Sequence, residues 1–474
     1  MSVLWAALGV GAVGLGATED PGDTSRALIL ISLLALLLGV WVFWRDGGRA
    51  ITAVGLYNLA FALFVGFSGL YQADDVAWTG LSRSLLTAVA FCYFTQVATW
   101  ALFWRESVRL EARSPLPVNV GPLRWAVGVG AALLIAATAT AMARPDSLPP
   151  LVEPAGFVGV LLMTAGLVRG RLRRQWVVWG VLLVGAMMLY FDFLFNDYGR
   201  IKLASLALGI AVLLAGGRNG RWVKSGVLAF SAPALWFFAQ LRVDPTNDES
   251  GLGSVMSPLR EFARVLELND LGGFPKGWGH TFWASLVALI PRGMWPGKPV
   301  GFGTEIVAYV RPELVDTGHS SAVLFHGEWV FNFGLLGLVA MVPVVGYALR
   351  GLDRLLVSCC SQGISDRRQV LWQVAVVVAT TGMVDLMWVG SFTYVARVGS
   401  RLLVILALIL VFGQLGSRRT EQPDAGRRAA RPGEMSTPPR AAHRTGLPRE
   451  APGPTSGATP SPSRRPGRHG GPAR

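Results

Sequence analysis

Charge, histidine and cysteine are all scarce in this chain. Only 15% of its 474 residues are Asp, Glu, Lys or Arg, against about a quarter in a soluble globular protein, while 52% are hydrophobic and the mean hydropathy is positive. That balance excludes a soluble globular enzyme and places the chain in a membrane. The three cysteines, Cys92, Cys359 and Cys360, are odd in number and lie in apolar or cytoplasm-facing stretches. This excludes a disulfide framework, and no CxxC spacing suggests a metal site. The cysteines read as small buried hydrophobes, and no metal or cofactor is expected. No repeat of 20 to 50 residues is present, nor a matched pair of Pro-broken apolar segments in two halves, which weighs against an inverted-repeat transporter. The formal charge of +14 would suggest a nucleic-acid partner until it is located: residues 417–474 hold twelve Arg against four Asp or Glu. The remaining excess is spread over short loops, so no nucleic-acid partner is expected.

What is present is a series of apolar runs. A helix needs about 20 mainly apolar residues to cross the hydrocarbon core, and about twelve stretches qualify: 2–18, 27–44, 50–70, 84–104, 124–142, 151–168, 175–195, 201–217, 222–241, 322–349, 370–390 and 398–416. The first lacks a basic flank, which argues against a cleaved signal. Lys and Arg in short loops stay on the cytoplasmic side. The loops carrying Arg45 and Arg49, then Arg105, Arg109 and Arg113, then Arg169, Arg171, Arg173 and Arg174, then Arg218, Arg221 and Lys224, and finally Arg350, Arg354, Arg367 and Arg368 fall inside by this rule. The intervening loops are poorer in Lys and Arg, and include acidic segments at Glu19, Asp20 and Asp23 and at Asp74 and Asp75. The expected fold is an all-α polytopic integral membrane protein with both termini in the cytoplasm. Helices one to nine occupy residues 1–241, one large extracytoplasmic loop residues 242–321, and helices ten to twelve residues 322–416. From 417 the composition turns to Pro, Gly, Ser and Arg, which cannot bury enough apolar area to fold. A disordered cytoplasmic tail is expected there, with attraction to anionic membrane lipid as its functional reading.

Polar chemistry concentrates between Gly277 and Gly337, which holds His280, His319 and His326, three of the five histidines, with Arg292, Lys298, Arg311, Glu305 and Glu328. Upstream, Ser257-Pro258 predicts a helix start, with Leu259, Phe262, Val265 and Leu266 on a membrane-lying face and Arg260 and Arg264 projecting together, either toward phosphate or as a solvated face. Residues 281–290 are too short an apolar run to span and long enough to dip into the interface. The following IPRGMWPGKP is alternately rigid and permissive. Such a loop can hold Arg292 and Lys298 in fixed relation, and a guanidinium beside an ammonium suits a diphosphate-bearing lipid. Interfacial anchoring is the plainer alternative. His326 and Glu328 fall in the outer part of an apolar stretch, where ionisable groups are functional candidates by default. Asp192, Asp385 and Arg397, near Glu153 on the same side, follow the same logic or act as ion pairs between helices.

The order Gly277-x-Gly-His280, a short apolar run, IPR, Trp295-Pro296-Gly297-Lys298-Pro299, a polar loop and then HGEWVFNFGLLG resembles the Wzy-type O-antigen polymerases, the oligosaccharide repeat unit polymerases. Close matching covers about 60 residues. Where that family often has Leu and Tyr, Trp329 and Val330 or Phe331 stand here. The resemblance implies a GT-C-like, metal-independent glycosyltransferase in a bacterial plasma membrane, moving a growing glycan from undecaprenyl diphosphate onto a lipid-linked repeat unit, with a chain-length regulator and a flippase as possible partners. Arg292 and Lys298, followed by Arg311, Arg260 and Arg264, would meet the diphosphate. His326 and Glu328 would be base candidates beside Arg292 as the catalytic set, with His280, His319, Asp385 and Arg397 behind them. The alternatives are an O-antigen ligase or other lipid-linked sugar transferase, which differs in acceptor, and a glycan-lipid transporter or flippase.

Overall fold

The computed structural model of the chain describes residues 1–17, 20–73, 82–108, 119–144, 148–169, 176–195, 200–216, 220–240, 251–270, 277–315, 317–361 and 363–417. The tail expected beyond 417 lies outside the described residues, as do the loop charges Glu19, Asp74, Asp75, Arg109, Arg113, Arg171, Arg173, Arg174 and Arg218. Among the described residues every regular element is helical. In chain order those of seven residues or more are α1 (Ser2–Leu15), α2 (Pro21–Arg45), α3 (Ala53–Gln72), α4 (Arg83–Trp104), α5 (Val120–Ala143), α6 (Val152–Arg169), α7 (Trp176–Leu194), α8 (Ile201–Ala215) and α9 (Gly220–Gln240). They continue with α10 (Leu252–Asp270), α11 (His280–Leu286), α12 (Phe325–Phe333), α13 (Leu335–Ser361), α14 (Arg367–Thr381), α15 (Met383–Val389) and α16 (Ser391–Ser417).

Among the described residues eight spans, against the twelve stretches counted by hydropathy, are long and apolar enough to cross a membrane: α2, α3, α4, α5, α7, α13, α14 running into α15, and α16. The chain is therefore a polytopic, all-helical membrane protein. The difference has local causes. Helices α1, α6 and α8 are apolar but short, and α9 carries Arg221, Lys224 and an internal Pro233. The stretch 322–349 divides at Gly334, whose φ of 64° and ψ of −154° end α12 before α13 begins; only glycine adopts that backbone region at low cost. His326 and Glu328 thus sit on a nine-residue helix outside the spanning part.

Helix α10 also departs from expectation. It starts at Leu252, ahead of Ser257, and takes Pro258 into its interior. Proline there removes the bond to the carbonyl four residues back, and the Ser257 hydroxyl donates to that Ser254 carbonyl instead, at 3.0 Å. Leu259, Phe262, Val265 and Leu266 do share a face, but they are buried against the bundle instead of lying on a membrane surface. The Gln72 amide and the Ser68 hydroxyl of α3 both donate to Met256 O and help hold the helix there.

In the half of α13 away from α12, about 22 to 27 Å along the axis at 1.5 Å per residue, a buried knot of charge ties five segments together. Asp353 accepts from the Ala53 and Val54 amides that open α3, at 2.6 and 3.4 Å, so a carboxylate meets the positive end of that helix. Arg350 Nη1 reaches Asp46 at 3.0 Å and Asp353 at 3.3 Å, while Nη2 donates to Glu106 O. Lys224 donates to the Trp44, Asp46 and Gly48 carbonyls. Breaking a buried pair by removing one partner costs about 3–5 kcal/mol because the other charge is left uncompensated. Asp353→Ala is accordingly expected to lower the melting temperature of the detergent-purified protein by several degrees. An unchanged melting curve would contradict this account of the knot.

Candidate functional site

The centre of the polar region is Glu328, fully buried on α12. Its Oε1 accepts from the Thr281 hydroxyl at 3.0 Å and the Ser391 hydroxyl at 2.6 Å, and its Oε2 accepts from the Ser391 backbone amide at 2.7 Å. Thr281 belongs to α11 and Ser391 opens α16, so one carboxyl group joins three elements far apart in sequence. The polar contacts extend outward from it. Asn332 Nδ2 donates to Thr281 Oγ1 and to Glu328 O, its Oδ1 accepts from the Gly279 amide, and the Ser285 and Ser391 hydroxyls lie 2.6 Å apart. Gly390, with φ of 99°, brings the α15–α16 junction this close: a Cβ there would sit 2.5 Å from Glu328 Oε2. Burial raises the Glu328 carboxyl to about 7, opposed by the hydrogen bonds from Ser391 and Thr281. Both protonation states can be accommodated, since a protonated Oε1 can donate a hydrogen bond to Ser391 Oγ, whose own hydrogen then turns to Ser285 Oγ.

The loop after α11 lies along the first turns of α16. Leu289 packs against Gly399, and Gly301 packs against Phe392, beside Ser391. Lys298 is only 8% exposed; its ammonium donates to Ala288 O at 2.8 Å and Ile290 O at 2.9 Å and faces the Phe392 ring at 5.9 Å. Desolvation, and then the Arg292 charge, lower its pKa. Lys298 therefore fixes the loop by binding backbone carbonyls that the turn leaves without amide partners. Arg292 is exposed. Around it Trp283, Leu286, Leu289, Ile290, Met294 and Trp295 are also exposed, an apolar rim suited to a membrane interface.

The other candidates separate. Arg264 and Arg311 both reach Glu261 Oε1, at 3.0 and 2.9 Å, and Arg260 is half-buried one turn before Arg264. His280 is half-exposed with Nδ1 3.3 Å from Glu305 Oε2, while His319 is half-buried. His326 is fully buried, neither ring nitrogen finds a partner among the described residues, and burial lowers its pKa to about 3. It is thus neutral at physiological pH. Two residues apart on a helix, His326 and Glu328 point to different sides, so they do not act on one atom together. Asp192 is exposed. Asp385, fully buried, pairs with Arg397 and accepts from Ser205 at 3.4 Å.

The sequence reading missed Arg401, Thr281, Ser285, Asn332 and Ser391. Arg401 is a single charge inside the apolar run 398–416, and its pairing with Glu153 at 3.4 Å needed two distant helices to be brought together. The hydroxyl and amide residues carry no charge to mark them, and only Asn332 lies near HGEW in sequence; Thr281 and Ser391 stand 47 and 63 residues from Glu328.

Because the folded carboxyl of Glu328 titrates near 7 instead of 4.5, its contribution is complete below the unfolded value. It is lost as the unfolded chain ionises first, so stability falls from pH 4.5 to about 7 and is level above. In a Glu328→Gln variant the amide can donate toward the two hydroxyls and its oxygen can accept from Ser391 N–H, so the slope should vanish. Melting temperature against pH for both proteins checks this, and parallel curves would contradict it. No protein-family model, no curated protein and no solved structure matches this chain.

Proposed function

We propose that this chain is a membrane glycosyltransferase that polymerises undecaprenyl-diphosphate-linked oligosaccharide repeat units at the outer face of a bacterial plasma membrane. On this reading the eight spans, the shorter apolar helices α1, α6 and α8, and α9 together form a twelve-helix, GT-C-like scaffold with both termini in the cytoplasm, and residues 242–321 lie outside. The observation that carries the proposal is Arg292, an exposed guanidinium on an apolar-rimmed loop. That loop is fixed from one side by the bonds of Lys298 to Ala288 O and Ile290 O, and α11 before it is fixed from the other by Glu328. A lipid diphosphate presents its charge at this depth, with its prenyl chain in the hydrocarbon. The resemblance of the Gly277–Gly337 segment to the repeat unit polymerases supports the same chemistry.

In the proposed step the acceptor sugar hydroxyl attacks the anomeric carbon of the donor glycan. A new C–O bond forms, the anomeric bond to the diphosphate breaks, and undecaprenyl diphosphate leaves with the electron pair. The main requirement is preorganised positive charge where negative charge develops, which Arg292 supplies. Lys298 keeps Arg292 in position instead of meeting the diphosphate itself, and Glu328 acts as a positioning residue for α11. The acceptor proton goes to His280, whose Nδ1 is turned toward Glu305 and whose other nitrogen is left for substrate; a half-exposed imidazole suits that task better than the enclosed ring of His326.

The test is surface-glycan length in a deletion strain complemented at matched membrane levels. Wild type should restore the long-chain ladder. Arg292→Ala should lose it and accumulate single repeats, consistent with the roughly hundred- to thousandfold cost of removing one transition-state donor. Full-length glycan retained on the carrier lipid in the deletion strain would favour the ligase alternative, and an unchanged ladder would contradict the proposal.

A further inference from the structure

A second charged cluster lies on the other side of α16. The α11 loop contacts Phe392 and Gly399, whereas Arg397 and Arg401 point roughly 170° away at about 100° per residue, toward Asp385 of α15 and Glu153 of α6. There Arg397 pairs with Asp385, Arg401 Nη2 reaches Glu153 Oε1 at 3.4 Å, and the Tyr190 hydroxyl donates to the same Glu153 oxygen. Lys202 lies within electrostatic reach of Glu153, Asp385, Arg397 and Arg401. Among the described residues, three cations thus face two carboxylates.

The surplus is not dispersed. Arg401 is fully buried, its guanidinium is 3.5 Å from the Phe157 ring centroid, and its Nε and Nη1 find no acceptor among the described residues. Lys202 is the second residue of α8, a 15-residue helix with no acidic residue in its first turn. It therefore adds a positive charge to the positive end of the helix dipole, where an anion is favoured. At α6 the corresponding position is compensated by Glu153. Lys202, Arg397 and Glu153 are all partly exposed, so the cluster opens at this edge while Arg401 closes its deep end. The outer surface of α7 beside Tyr190 exposes Leu182, Leu189 and Phe193, which supplies an apolar wall next to the charge.

We propose that Lys202 and Arg397, backed by Arg401, bind the phosphate of a lipid headgroup at the membrane face that carries the α11 loop. The phosphate neutralises the surplus cation, and the acyl or prenyl chain lies against α7. This site is separate from the Arg292 loop and stands whether or not the chain transfers sugars.

The test uses full-length, delipidated protein in detergent, titrated separately with dioleoylphosphatidylglycerol, with farnesyl diphosphate and with dioleoylglycerol, which lacks phosphate. Thermal shift and native mass spectrometry report binding. At least one phosphate-bearing lipid should bind, and dioleoylglycerol should not. Lys202→Gln should weaken the phosphate lipid about tenfold, the scale of one charge-assisted contact, while Lys202→Arg stays near wild type. Preference for the phospholipid would identify a membrane-lipid site, and preference for the diphosphate a carrier-lipid site; either supports the assignment. Equal binding of all three lipids, no binding of either phosphate lipid, or wild-type affinity in a correctly folded Lys202→Gln would overturn it.

Discussion

A fully buried carboxyl group must be surrounded by donors or it unfolds what surrounds it, and Glu328 is such a group. Its three donors come from Thr281 and Ser391, which forces α11 against α12 and draws the start of α16 beneath both. Several features follow from that single demand. Gly390 can only be glycine because Glu328 occupies the space of its Cβ, and the sharp α15–α16 junction lets Ser391 present both its amide and its hydroxyl. Phe392, carried in by the same turn, becomes the surface on which Gly301 packs and which the Lys298 ammonium faces. The position of Arg292 is thus an indirect consequence of a carboxyl group that it does not touch.

Ionisable side chains are sorted to the two ends of the bundle. At one end Asp46, Asp353, Arg350 and Lys224 bond to one another and to backbone carbonyls, with Arg350 Nε alone left over. At the other the pairing is incomplete. Arg292 is exposed, and Arg401 has guanidinium nitrogens with no acceptor among the described residues. Closed networks hold helices together, whereas surplus cations beside an apolar surface are suited to lipid phosphate.

Much of the scaffold was legible in the sequence because a span is a long apolar run, and hydropathy reads such runs directly. The break at Gly334 was not legible, since it falls inside an apolar stretch and depends on a backbone conformation. For α10 the periodicity of Leu259, Phe262, Val265 and Leu266 gave the right face and the wrong surroundings: an apolar face fits a bundle as well as a membrane surface. Within the site, charge was readable and partnership was not. Lys298 reads as a phosphate ligand by residue type, whereas its bonds to Ala288 O and Ile290 O depend on a turn that residue type does not reveal. Spacing alone separates His326 from Glu328, a helical fact available once both are assigned to one helix.

The central claim is tested most directly with purified protein in vesicles containing a single lipid-linked repeat unit and no other enzyme. Longer glycans still attached to undecaprenyl diphosphate, released together with free carrier diphosphate in proportion to the bonds formed, are the predicted result. Repeat units that remain single while the protein is folded, or that merely cross the bilayer unchanged, would contradict it.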